Sequence, residues 1–121
     1  MKHKKILLLL LSVFFACERG DKITHLLTSE SFNDRMEGVY EAGESSDIKY
    51  VPLILANKDT ARVSTSLHFK GFTIYTEKMY ALERLLKVKP PHDYNGILRK
   101  PDSANINFFK NRWKEMQAAK K

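Results

Sequence analysis

The chain has 121 residues, 21 basic and 14 acidic side chains, a formal charge of +7 and a single cysteine. That is enough for one small domain and too little for two. One cysteine excludes an internal disulfide, so any core is held by packing alone.

In chain order, Lys2, Lys4 and Lys5 precede an apolar run, Ile6 to Phe15, which ends at the small residue Ala16 directly before Cys17. A basic n-region, an apolar h-region and a small residue at the end are the pattern of an export signal. The run is shorter than the roughly 20 residues that span a bilayer, which argues against a permanent transmembrane helix. The stretch Phe14-Phe15-Ala16-Cys17 resembles the lipobox of bacterial lipoproteins, with Phe at the two positions that most often carry Leu and a small residue. The resemblance implies cleavage before Cys17, acylation of its thiol and new amino terminus, and location in the cell envelope as a membrane-anchored protein, on the periplasmic face or the cell surface. Several acyl chains, at about 0.8 kcal/mol per buried methylene, would hold it firmly. The expected layout is a signal peptide over 1–16, a tether over 17–28 and one helical domain over 29–121.

Without the signal the chain keeps 18 basic and 14 acidic side chains, distributed unevenly. Glu18 to Asp47 holds eight acidic against three basic residues, whereas Ile48 to Lys121 holds fifteen basic against six acidic. A basic body suits anionic headgroups or an acidic partner. Nucleic acid is not expected as a partner, because the compartment disfavours it and no recognised binding motif is present.

After the tether, Phe32, Met36, Val39 and Tyr40 recur at helical spacing, with Ser29 as the expected cap and Gly43 as the stop. The carboxylates on the outer face of this helix read as a solvated surface. Ser45-Ser46-Asp47 then caps a second helix, Ile48 to Asn57, too densely apolar for a surface position and with Pro52 near its start. The cap, Val-Pro-Leu, further apolar residues and Asn-Lys-Asp together resemble one HEAT-type repeat over Phe32 to Arg62. Such repeats stack helix pairs, and a free-standing array needs at least three units.

Between Thr60 and Thr76, Leu67 and Phe69 alternate with His68 and Lys70, and Phe72-Thr73-Ile74-Tyr75 follows Gly71. The pattern fits an irregular insertion or a short β-hairpin turning at Lys70-Gly71. Thr76 is the expected cap of a helix whose stripe is Met79, Leu82, Leu85 and Leu86, ended by Pro90-Pro91. A loop turning at Asn95-Gly96 leads to Asp102-Ser103, the cap of a last helix with Ile106, Phe109, Trp113 and Met116 on one face. The stretch from Lys78-Met79 through Pro90-Pro91 to this helix is similar to small exported helical-repeat proteins of bacteria, which share no catalytic motif. The fold class is therefore mainly α, about four helices in a small HEAT-like arrangement with one short irregular or hairpin insertion; the alternative is α+β.

No cofactor, metal site or catalytic residue emerges. His25, His68 and His92 lack zinc-ligand spacing, and His92-Asp93 is the nearest thing to a site. There is no Gly-x-Ser-x-Gly, no Gly-rich phosphate loop and no spare cysteine. The pairs Glu41/Glu44 and Glu77/Glu83 read as solvated helix carboxylates with ordinary acidity. The expected function is thus non-catalytic: a lipid-anchored protein-interaction module of the cell envelope, of which an immunity-type inhibitor of a toxin is one form. Its candidate surface combines His68, Lys70, Phe72 and Tyr75 of the insertion with His92, Tyr94 and Arg99 of the loop, because aromatics and Arg in irregular segments make good anchors. The alternative is a periplasmic lipoprotein that binds a small ligand or lipid, marked by an open apolar cavity.

Overall fold

A computed structural model describes residues 22–120, and within them the fold is mainly helical, without a β-strand. The stretch expected to be a signal peptide, 1–16, and Cys17 lie outside the described residues. The helices are α1 (22–27), α2 (Phe32–Glu44), α3 (Val51–Ala56), α4 (Ile74–Leu86) and α5 (Ser103–Ala119), with a 3-10 turn (Ile48–Tyr50) leading into α3.

Helix α1 corrects the tether. Residues 22–27 are helical and bury Ile23 and Leu27 in the core, four residues apart on one face. Its partner is α2, which presents Gly38 to it. A Cβ built on Gly38 would lie 2.8 Å from the backbone nitrogen of Leu27 and 2.9 Å from Leu26 Cβ. The α1–α2 turn is fixed by Arg35, whose Nη1 donates to the carbonyls of Ser29 and Glu30. Ser31, not Ser29, caps α2 by accepting from Asp34 N–H; Ser29 instead donates to the Asp34 carboxylate at 2.9 Å.

The second predicted helix is divided. Pro52 has no N–H to give the Ile48 carbonyl, so Val51 N–H bonds Ile48 instead, and the chain makes one 3-10 turn before α-geometry begins. Helix α3 is left with six residues and buries Val51 and Ile54. Of the helix pair implied by the HEAT resemblance, α2 therefore takes its main packing from α4, while α3 lies against α4 and α5.

Residues 57–73 form the irregular insertion rather than a hairpin. One antiparallel bridge, Val63 to Thr73, closes it, supported by Ser64 N–H to Phe72 O at 2.9 Å and Gly71 N–H to Ser64 O at 3.0 Å. Extension stops there because Thr73 already caps α4, accepting from Thr76 N–H. The β-branched and aromatic run Ile74-Tyr75 thus lies inside the first turn of α4, where burial overrides strand propensity. At its other end α4 stops at Leu86, ahead of the diproline, because Lys87 turns into the left-handed region at φ 56° and donates to Glu83 O.

Helix α4 is the central element and buries nine of its thirteen residues. One of them is charged: Lys78, 1% exposed, donates from Nζ to Asn57 O at 2.6 Å and sits 3.1–3.2 Å from both carboxylate oxygens of Asp59. Asn57 in turn donates from Nδ2 to the carbonyls of Leu27 and Leu53. One buried ammonium thereby fastens α4 to the segment that closes both α1 and α3.

Two stability outcomes follow from this packing. In an exposed helix Gly→Ala gains up to about 1 kcal/mol from propensity, but at Gly38 the contact is backbone and cannot yield, so Gly38→Ala is expected to lose about 1–3 kcal/mol in urea unfolding. A gain would show that α1 is not seated on α2. Lys78→Met strands Asp59 and the Asn57 carbonyl and is expected to cost about 3 kcal/mol, of which Asp59→Asn in the same chain restores part.

Candidate functional site

On the face of α4 away from Lys78, positions 77, 80 and 84 share one side of the helix. Tyr40 and Glu44 of α2 stand beside them, and the insertion supplies His68, Phe69 and Phe72. With Asn95 and Gly96 of the loop before α5, these residues line a cleft of about 390 Å³. A second recess of about 440 Å³, between Tyr80, Glu83, Arg84, Lys87 and Tyr94, shares Tyr80, Arg84 and Asn95 with the first, so the two form one groove.

The walls are aromatic. The rings of Tyr40, His68 and Phe69 pack edge to face, with centroids 5.2 Å (Tyr40–His68), 5.7 Å (Tyr40–Phe69) and 4.7 Å (His68–Phe69) apart. At the rim, Arg84 Nη1 is ion-paired with Glu44 Oε1 at 2.8 Å. Inside, Glu77 has no hydrogen bond or paired cation among the described residues, and desolvation alone pushes its carboxyl up to about 7.

The loops that build the cleft are tied to each other. Leu98 N–H donates to Gly71 O at 2.8 Å, and Thr73 Oγ1 donates to Arg99 O at 2.9 Å. Gly71, at φ 85°, admits Ile97: a Cβ there would meet Ile97 Cγ2 at 2.7 Å. Leu98 itself is held at φ 60°, an unfavourable angle for a Leu costing of order 1 kcal/mol. Leu67, Ile97 and Leu98, 97%, 61% and 63% exposed, are the apolar tips of the two loops.

The seven residues proposed from sequence separate into three sets. His68 and Lys70 are exposed on the insertion, Phe72 half-lines the cleft, and Arg99 is exposed on the adjoining loop, where its Nε donates to Asn95 O. Tyr75 is not on that surface: it is buried, and its hydroxyl accepts from Asn105 Nδ2 at 2.9 Å. Tyr94 is buried as well, its hydroxyl donating to Glu83, with burial and that carboxylate pushing the phenol up. His92 is exposed elsewhere, its Nδ1 2.8 Å from the Asp102 carboxylate, which is also the cap of α5. The histidine holds the Asp102 carboxyl below the usual range, and Asp93 faces Arg99 instead. His92-Asp93 is thus no pair.

Sequence reasoning missed Tyr40, Tyr80, Glu77 and the apolar loop tips. The carboxylates expected to be solvated are corrected here, since Glu77 lines the cleft half-buried and partly desolvated, and Glu83 takes the Tyr94 hydroxyl. The available signal was the 77, 80, 84 spacing on α4, a second face on a helix already committed to the core.

Among the described residues no group of three or more His, Cys, Asp or Glu side chains is placed to hold a metal ion, and no helix is long and apolar enough to cross a membrane. No family model, no curated protein and no solved structure matches this chain.

The acidity of Glu77 has a consequence for stability. Its folded value, about 7, lies above the ordinary 4.5, so the stabilisation it contributes is complete below about pH 4.5 and is lost as pH rises through 7. Glu44, Arg84 and His68 face the same cleft. In a His68→Gln background, Glu77→Gln is therefore expected to remove about 1–2 kcal/mol of the loss in unfolding free energy between pH 5 and pH 8. An unchanged pH profile would mean that the carboxylate is solvated.

Proposed function

We propose that this protein is a lipid-anchored, non-catalytic interaction module of the bacterial cell envelope, and that the loops 64–72 and 95–99 are the face it offers to a protein partner. The anchor is read from the signal-like stretch ending at Cys17. The observation that carries the interaction face is the exposure of Leu67, Ile97 and Leu98 on two loops bound to each other, one of them strained. Exposed leucines on tied loops are costly in a protein with nothing to bind, and apolar tips rimmed by Lys70, Arg99 and Lys100 match the apolar-centre, polar-rim composition of interfaces. A non-catalytic role is supported by what the polar groups already do. Lys78 is spent on Asn57 and Asp59, and the His92–Asp102 pair caps α5.

The test uses the full chain expressed in a Gram-negative host. With a fatty-acid analogue, label and membrane partitioning are expected in the parent and not in Cys17→Ala; equal partitioning without label would overturn the anchor. A photo-cross-linking residue placed at 67 or 98 is expected to give a discrete protein adduct, and the same residue at exposed Asn111 of α5 none. Indistinguishable patterns from all three positions would overturn the interaction face.

A further inference from the structure

The cleft beneath those loops is a site in its own right. Its chemistry consists of several aromatic surfaces and one carboxylate that no protein donor satisfies. Glu77 is half-buried, and a partly desolvated carboxylate without a donor is stabilised by a cation brought against it. Arg84 does not provide it, being bonded to Glu44 at 2.8 Å, and with Glu44 and Glu77 against one Arg the cleft disfavours anions.

The nature of the cation follows from what lines the cleft. A primary ammonium carries three N–H donors and needs as many acceptors, whereas Glu77 is the one carboxylate here that is free of a partner. An alkylated ammonium has no donors to satisfy, is weakly hydrated and is attracted to the faces of aromatic rings. Tyr40, Phe72 and Tyr80 supply such surfaces around Glu77, with His68 and Phe69 behind. A volume of about 390 Å³ is at the small end of ligand sites, ample for a trimethylammonium head with a short polar tail.

We infer that the cleft between α2, α4 and the 64–72 insertion is a binding site for a quaternary ammonium group, with Tyr40, Phe72 and Tyr80 as its aromatic walls and Glu77 as its counter-charge. The raised pKa of Glu77 agrees: bound cation would return the carboxyl to its ionised form and release a proton to solvent below about pH 7. The site depends neither on the lipid anchor nor on a protein partner, so each can fail without the other.

The experiment is a titration of the full chain in mild detergent, at pH 7.5, followed by NMR of the His68 and Tyr80 side chains and by calorimetry. Choline is expected to bind, while 3,3-dimethylbutanol, its neutral carbon isostere, and ethanolamine, its primary amine, are expected to bind at least tenfold more weakly. Glu77→Gln and Tyr80→Leu, the latter at a half-exposed position where folding is not at stake, are each expected to weaken choline by fivefold or more. Dihexanoylphosphatidylcholine below its micellar concentration separates the sources of the head: equal affinity with choline assigns a free solute, tighter binding a lipid headgroup. Binding of the carbon isostere as tightly as choline, preference for ethanolamine, or unmoved His68 and Tyr80 signals would overturn the site.

Discussion

The buried ammonium of Lys78 is the constraint on which the rest of the packing depends. Removing a charge from water costs several kcal/mol, and the cost is offset only where partners are fixed in place. Here desolvation lowers the pKa of Lys78 and the Asp59 carboxylate opposes it only in part, so the charge is retained by the geometry of residues 57–59. Those residues are themselves pinned, because Asn57 Nδ2 holds Leu27 at the end of α1 and Leu53 within α3. Two short helices, neither long enough to persist alone, are thus referred to a single point on α4. Once that point is set, the face bearing 75, 78, 82 and 85 must point inward, and 77, 80 and 84 are left on the outer side.

A second polar anchor does the same work for the other end of the chain. Asn105, fully buried in the first turn of α5, donates to the Tyr75 hydroxyl and to His92 O, and its Oδ1 accepts from His92 N–H at 2.9 Å. The loop after the diproline is thereby held to both α4 and α5. With Asp102 capping α5 and also bonding the His92 ring, the chemistry-bearing residues of that loop serve its geometry. The position of Asn95 and Gly96 in the cleft is a consequence of this docking.

How much of this was legible in the sequence depended on whether the information was local. The helical stripes at Phe32, Met36 and Val39 and at Met79, Leu82, Leu85 and Leu86 stand out at the right spacing, and all seven are buried. The fold class was therefore readable. Starts of helices were less so: Thr73 and Thr76 are three residues apart and each is chemically a cap, and Ser29 and Ser31 pose the same ambiguity in front of α2. Helix α1 was hidden because only Ile23 and Leu27 mark its inner face, in a stretch that otherwise reads as a polar lead. The site was least legible of all. Tyr75 and Tyr94 look like Phe72 in sequence, and what separates them is a partner far along the chain, Asn105 in one case and Glu83 in the other. Glu77 was indistinguishable from any helix-surface carboxylate, since the groups that desolvate it come from α2, the insertion and the loop before α5.

The charge asymmetry of the sequence acquires a meaning from the same geometry. The acidic portion of the chain ends with α2 and its cap, and the basic portion begins at the 3-10 turn. The α2–α4 contact is the seam between them, drawn tight where Gly43 admits Ala81, at 3.0 Å for a Cβ placed on the glycine. Glu44 and Arg84 close the seam at its rim. That pairing occupies Arg84, the arginine among the residues lining the cleft, while the aromatic side chains there partly desolvate Glu77 and none of their hydroxyl or ring donors bonds it. A carboxylate at position 77 is then left with a field of rings and no cation, a condition that folding by itself does not favour. Its presence there is accounted for by a cationic ligand, which supplies the charge the protein has placed elsewhere.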